Sequence, residues 1–564
     1  MSCWWQCCAS SCARDYEEFL QESEPFSLPS PLPQWPKGKG FATGKISLGE
    51  VEVVQITEFD QIWSCRPLLG MASGVTFYEP SGIPAGYFSL GHYCQPSDQK
   101  LRGYVLAAKC ISSDASEGLK SNSPALEKPL SYTLVWGEDT HRNGCGYIWL
   151  PNPPKGYKAM GFVVTTGADE PDLEGVRCVR ADLTESCEVG ELIYDRNGLF
   201  SSGQFYVWNT RPCERGMLCR GVPVGTFYCS RDDNSSEELS IACLKNLDSS
   251  LMAMPNLNQV HALIKHYGPT LYFHPDEVYL PSSVPWFFEN GSLLYKEGMD
   301  KGLAIDSNGS ILPSGGINDG EFWLDLPEED KGRDYVKVGN IETAELYVHV
   351  KSASGGAFTD IAMWIFCPFN GPATIKVGSF NFPLDTIGEH IGDWEHYTLR
   401  VSNFNGELWS VYYSEHSGGR WVDASELEFI NGNKAIVYAS KNGHASFAHE
   451  GCYIQGSSKL GIGARNDCAK SNYSVDSSTR YQIVAAEYLG DIVAEPPWLQ
   501  YMREWGPTIV YSSATELDKI LNDLPFFLRF SLESLIELFP TELYGEEGPT
   551  GPKEKDNWLG DERC

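Results

Sequence analysis

Gly388 to Gly451 holds the stretch on which the reading of the fold turns: GEHIGDWEHYTLRV (388–401), WSVYYSEHSGGRW (409–421) and KAIVYASKNGHASFAHEG (434–451). Three runs in it, Tyr397 to Val401, Leu408 to Tyr413 and Ala435 to Ala439, are rich in β-branched and aromatic residues and bounded by Gly and Asn. Such runs predict strands of one sheet. The polar clusters GDWE, SEHSGG and NGHAS each adjoin a strand, so a sheet edge can collect them in its loops. Five of the 11 histidines lie here: His390, His396, His416, His444 and His449.

Strand periodicity makes one prediction inside GDWE. Asp393 and Glu395 share one face of the strand, and Trp394 and His396 share the other. If His416 and His444 approach the carboxylate face, two imidazoles and two carboxylates could hold a divalent metal such as zinc, manganese or iron(II). With an open coordination position that arrangement suits a metal-dependent hydrolase. Ser446 beside His444 completes the candidate pocket of Asp393, Glu395, His416, His444 and Ser446. No HExxH motif and no GxSxG elbow surrounds these residues. Against the catalytic reading stand a non-enzymatic ligand pocket and plain packing around Trp394, Trp409 and Trp421.

The motifs IGDWEH, SEHSGG and NGHASFAHEG resemble the family of the fungal vacuolar protein sorting-associated protein 62. FSLPSPLPQWPKGKGFATGKISLGEVEVV (26–54) and LYFHPDEVYLPSSVPWFF (271–288) are similar to its plant branch. The resemblance spans roughly Pro25 to Glu516. It implies a trafficking-associated role by family name and no particular reaction or ligand.

Outward from this stretch, composition sets bounds. The chain has 564 residues, 42% hydrophobic and 21% charged, which is globular and too long for one core. With 55 Gly, 34 Pro and many short aromatic runs, an all-β class is expected. The formal net charge of −32 disfavours nucleic acid and anionic membrane as partners of the body. Eighteen cysteines in no scaffold-like spacing, with no signal peptide, point to free thiols in the cytosol.

In chain order, residues 1–39 form a Cys-rich and then Pro-rich segment. Cys3, Cys7, Cys8 and Cys12 flank Trp4 and Trp5, a pattern suited to S-acylation and to anchorage at a cytoplasmic membrane face. Residues 40–246 carry a weak threefold repeat. Its copies centre on Gly86 in Pro-Ala-Gly-Tyr, Gly156 in Pro-Lys-Gly-Tyr and the degenerate Gly216, each followed by a strand cysteine: Cys110, Cys178 and Cys243. Three β-units on one axis predict a β-prism-like or trefoil-like domain, for which glycan binding is a reading by fold analogy. Residues 247–258 read as a linker, and 259–545 as a β-sandwich-like domain opened by a helix over Leu257 to Tyr267. Within it His274-Pro-Asp-Glu277 reads as a turn with a half-buried histidine, or as a ligand set. Tyr335 to Asn340 alternates like a strand, and Ala514 to Phe539 like a terminal helix. Residues 546–564 read as a disordered tail.

The expectation is therefore a non-enzymatic, trafficking-associated or peripheral membrane binding protein. The alternatives are a metal-dependent hydrolase at the central stretch and a glycan-binding prism module. Expected partners are a membrane, through the acylated N-terminus, and a small ligand or glycan, with no nucleic acid.

Overall fold

The computed structural model describes residues 25–65, 73–111, 123–140, 144–196, 204–231, 239–416, 418–457, 461–510, 545–546 and 548–563. The cysteines at 3, 7, 8 and 12 and the expected helix over Ala514 to Phe539 lie outside them. Strands far outnumber helices among the described residues, and antiparallel pairs predominate. Among the described residues no helix is long and apolar enough to cross a membrane.

One pairing scheme recurs three times between Lys45 and Lys245. In the first unit Val51–Ile56 pairs Val105–Cys110, which pairs Phe88–Ser89, while Phe59–Cys65, Val75–Pro80 and Tyr93–Pro96 form a meander. The second unit repeats this with Leu126–Glu127, Cys178–Arg180 and Tyr157–Lys158, beside a meander of Ser131–Thr140, Gly144–Asn152 and Val163–Thr165. In the third, the long strand Thr184–Asp195 serves both sheets. The aromatics at matched positions, Trp63, Trp136 and Tyr194, fill one shared core.

Three backbone bonds between units fix the equivalence: Arg177 N–H to Ser89 O (3.0 Å), Ala242 N–H to Ala159 O (3.0 Å) and Leu106 N–H to Val224 O (2.8 Å). Counting back from these acceptors, the residue matching Gly86 and Gly156 is Gly221, five positions beyond the expected Gly216. Counting on from the donors, Cys178 and Cys243 match Ala107; Cys110 is exposed and outside the set. The local Gly-centred pattern misplaced the third copy because register is set between units. At the axis Gly91, Gly161 and Thr226 converge, and a Cβ on Gly161 would meet Thr226 Cβ at 2.6 Å.

The second body is a two-sheet sandwich. Its main sheet runs Gly418–Asp423, Leu408–Glu415, His390–Ser402, Phe358–Asn370, Leu346–Ala353, Tyr481–Ala485; its partner contains Lys434–Ala439, Thr270–Tyr272 and Ser474–Asp476. Phe358–Asn370 is buried at every position, because both of its faces are covered. Ile361, Met363 and Ile365 enter the core between the sheets, with Leu399 and Val437. Trp364 and Phe366 enter an aromatic layer outside it, with Trp394, Trp498 and Trp505. The helix Leu257–Tyr267 closes the first core; Asn256 and Gln259 form a reciprocal capping box at its start.

The proline-rich lead-in lies on this body: Trp35 donates to Asn405 O (2.9 Å) and Ser30 N–H to Asn433 Oδ1 (2.8 Å). Two expectations are corrected. Tyr335 to Asn340 is not a strand; Asp330–Val338 is a helix in which Val336 is the buried residue, so the alternation recorded a helix edge. Residues 548–563 are not disordered. They pack on the outer face of the main sheet, where Trp558 is 2% exposed.

Candidate functional site

The strand His390–Ser402 enters the sheet through Gly392, whose φ is +72° and whose missing Cβ would lie 2.4 Å from Trp505 O. Only glycine suits that combination. Beyond it the pleat is regular. Trp394 joins the outer aromatic layer, and the face of Asp393 and Glu395 is the one that continues into Tyr397 and Leu399 in the inner core. Two of the histidines marked from sequence, His416 (φ +56°) and His444 (φ +53°), adopt the left-handed conformation that side-chain-bearing residues avoid. Backbone strain held at such positions points to a demand on where the side chain goes.

His444 is 1% exposed, and its Nδ1 donates to Asp393 Oδ2 at 2.8 Å. Its Nε2 donates to the carbonyl of Tyr279 at 2.9 Å, with Glu277 Oε2 at 3.8 Å. Both ring nitrogens face oxygen acceptors, so both carry hydrogen and the ring is an imidazolium. Burial alone would lower its pKa; the Cys367 sulfur, the bond to Asp393 and Glu277 together hold it well above the usual value. Burial pushes the Cys367 thiol itself up to about 11, so at neutral pH the two carboxylates supply that effect. Glu277 is anchored in turn by the N–H groups of Val278 (3.0 Å), Tyr279 (2.9 Å) and Asn442 (2.6 Å).

A cavity of about 240 Å³ opens on the other side of Asp393, between the sandwich edge and a small sheet built by Thr374–Val377, Phe380–Pro383, Gly451–Ser457 and Ile462–Cys468. Asp393, Glu395, His390, His416, Asn370 and Asn466 are among its lining residues. Ser414 Oγ donates to Glu395 at 2.6 Å. Burial, then the neighbouring Asp393 charge, push the Glu395 carboxyl up to about 8, so it is protonated at neutral pH. Asp393 goes the other way: burial raises it, but the His444 bond and the charges of His390 and His444 win and keep it ionised. His416 Nε2 donates to Asn466 Oδ1 at 3.0 Å, which in the neutral ring leaves the lone pair on Nδ1.

Of the five sequence candidates, Asp393, Glu395 and His416 share the cavity. His444 sits behind Asp393 and is not among the lining residues. Ser446 is buried in a short strand paired with Ala439 and is not among them either. Ligand atoms of Cys367, Asp393 and His444 lie within 4.8 Å of one another. That set does not fit a metal, because His444 would have to surrender a proton and a hydrogen bond to present a lone pair. Sequence reasoning missed His390 as a lining residue and Cys367 as a neighbour. It flagged Glu277 only in passing, and the signal was there in its HPDE turn.

Residues 22–562 match the family profile described as vacuolar protein sorting-associated protein 62. The chain belongs to the Vps62 family. The Saccharomyces cerevisiae Vps62 protein is 24% identical over 217 residues, covering 33% of this chain and 44% of the yeast protein. The chain thus matches less than half the length of that relative. Among solved structures, GNIP1Aa from Chromobacterium piscinae overlaps 38% of this Vps62-family chain and 40% of its own, at 17% identity and a TM-score of 0.27. NLPPya in complex with glucosamine overlaps 41% and 75%, at 13% identity and a TM-score of 0.21. Overlaps this weak carry no inference about the site.

Proposed function

We propose that this Vps62-family chain acts in vacuolar protein sorting as a binding protein, and that its cavity walled by Asp393 and Glu395 takes a divalent cation. One observation carries the reading: two carboxyls from one strand face line the same small cavity as His390 and His416. Oxygen and imidazole side chains are the ligand types of manganese, zinc or iron(II), with calcium favoured if backbone and amide oxygens join. Among the described residues the three ligand atoms within 4.8 Å of one another are those of Cys367, Asp393 and His444, so a cation here would have to draw the cavity's side chains together or complete its shell with water. The paired carboxyls support it further, since a bound cation would displace the Glu395 proton and offset the charge of both groups.

A binding role is favoured over hydrolysis by His444. As drawn from the sequence, the hydrolase takes His444 as a metal ligand, and both nitrogens of that ring are committed to structural acceptors. Membrane attachment through Cys3, Cys7, Cys8 and Cys12 belongs to the same proposal and rests on sequence.

The test is calorimetric titration of the full chain with Ca²⁺, Mn²⁺ and Zn²⁺, alongside Glu395→Gln. One saturable equivalent on the wild type, at least tenfold weaker in the variant, is the expected result. Equal binding by both proteins, or none by either, overturns the reading.

A further inference from the structure

The outer face of the main sheet changes character along its strands. At one end it presents Tyr347, Trp364, Phe366 and Trp394 to the aromatic layer. At the other it presents Lys351, Asp360, His396, Thr398 and Arg400. Four of these are nearly sealed from solvent: Lys351 at 2%, Asp360 at 1%, Thr398 at 0% and His396 at 8% exposure. Buried charges of this kind need partners. The chain's own C-terminal segment supplies them.

Glu562 has a fully buried side chain. Its Oε2 accepts from His396 Nε2 at 3.0 Å and from Asn557 Nδ2 at 2.9 Å, and its Oε1 from Thr398 Oγ1 at 2.6 Å. Lys351 Nζ stands 3.9 Å away and donates to the carbonyl of Gly560 at 3.1 Å. Asp561 accepts from Arg400 at 3.0 Å and pairs at 3.3 Å with Arg215 of the threefold domain. Trp558 stacks on His349 with ring centres 4.0 Å apart.

We infer that this slot is a recognition site for acidic peptides of a partner protein, and that residues Trp558 to Glu562 occupy it in cis as a built-in competitor. Asp360 is paired with Arg400 and Glu487 with His349. The partners of Lys351 Nζ, His396 Nε2 and Thr398 Oγ1, in contrast, all come from the segment, so without it the slot presents buried donors facing no acceptor. The geometry specifies the ligand: an extended segment with an aromatic ring three residues before two adjacent carboxylates, as in Trp-Leu-Gly-Asp-Glu. Carboxylates held by several charged donors form the short, directional class of hydrogen bonds, and acidic motifs are a recurring target of basic side-chain clusters. The slot opens on a cleft of about 1300 Å³ between the two bodies, whose walls include Gly560 to Arg563, Arg211 and Arg215. An incoming chain has a route to the slot through that cleft. A tethered competitor acts at high effective concentration, so a partner gains access when the cis contacts are weakened or outcompeted. This inference does not depend on the cation reading of the other cavity.

The experiment uses the full chain and a labelled synthetic peptide of residues 548–563, read by fluorescence anisotropy. The peptide should bind an Asp561→Asn, Glu562→Gln chain at least tenfold more tightly than the wild type. Adding Arg400→Gln to that chain should cost at least tenfold. Equal affinity for wild type and the double variant, or binding indifferent to Arg400, overturns the inference. Hydrogen exchange on the unmodified wild type keeps the test decisive if the variants fold poorly. Excess unlabelled peptide should speed exchange at the chain's own amides 557–563 at least tenfold. Exchange there that stays as slow as in the strand His390–Ser402, whatever the peptide concentration, would mark the segment as a permanent part of the fold.

Discussion

His444 reaches Asp393 across 51 residues of sequence and donates to it at 2.8 Å from a ring that is itself sealed from solvent. The contact ties the NGHAS turn to the first inward residue of the GDWE strand. It also fixes Asp393 as ionised, which leaves its neighbour Glu395 as the carboxyl that bears the repulsion.

Replacing His444 by Ala strands Asp393 and Glu277 as buried carboxylates. Breaking a buried ion pair in this way costs about 3–5 kcal/mol. Urea denaturation of His444→Ala at pH 7 should show a loss of that order. Because the folded-state pKa of His444 is raised, its stabilisation is complete below about pH 6.5 and is lost only as the pH climbs through the higher folded value. Unchanged stability in the variant would contradict the charged-network account.

Glu395→Gln should stabilise the protein. The raised carboxyl costs nothing below about pH 4.5 and progressively more as the pH rises toward 8. The variant should therefore match the wild type at pH 5 and exceed it at pH 8 by roughly 2–4 kcal/mol. Thermal melts at the two pH values measure this. Together with weaker cation binding it would mark a residue kept for function at the expense of stability.

His92 occupies, in the first unit of the threefold domain, the place of Phe162 and Phe227 in the others. It is buried and neutral, and its Nδ1 accepts from Val164 N–H at 3.1 Å. Burial depresses it to about 4. The wild type should then lose stability as the pH falls from about 6.5 to 4, by roughly 3 kcal/mol in all. His92→Phe should flatten that slope while costing about 1 kcal/mol at pH 7 for the lost acceptor. Melting temperature against pH, for both proteins, decides it.

Gly161→Ala places a methyl against Thr226 at the axis, where Gly91 also converges. Overpacking there should cost about 1–3 kcal/mol. Gly167→Ala, where a Cβ meets nothing within 4 Å, should stay within about 0.5 kcal/mol of wild type. Denaturant midpoints of the pair provide the comparison.

Changing Cys3, Cys7, Cys8 and Cys12 together to Ser should move the protein from the membrane pellet to the supernatant on fractionation. Two acyl chains suffice for a stable anchor, at about 0.8 kcal/mol for each buried CH₂. Equal distribution of wild type and variant would remove the anchor.

The features legible beforehand were local ones. The strand parity that separates Asp393 and Glu395 from Trp394 and His396 follows from backbone pleat alone, and the structure obeys it. The helix expected over Leu257 to Tyr267 forms with those bounds. The features that misled were those where a local pattern stood in for a long-range contact. The third Pro-x-Gly-like turn was assigned by resemblance, whereas bonds between neighbouring units set the true register at Gly221. The tail GPTGPKEKDNWLGDER looks polar and unstructured by composition, yet Trp558 and Glu562 find partners on strands that begin some two hundred residues earlier.

The sequence by itself determined the strand-rich class, the alternation along each strand and the residue types gathered at the site. Torsion preferences and the period of burial act over a few residues, so they are written locally. Only the tertiary structure decided which charges meet. It set His444 rather than His416 against Asp393, brought Glu277 beneath them, and sealed Lys351 and His396 with the chain's own Glu562. A buried charge is satisfied by whichever distant strand the packing brings within about 3 Å, and no local period encodes that choice.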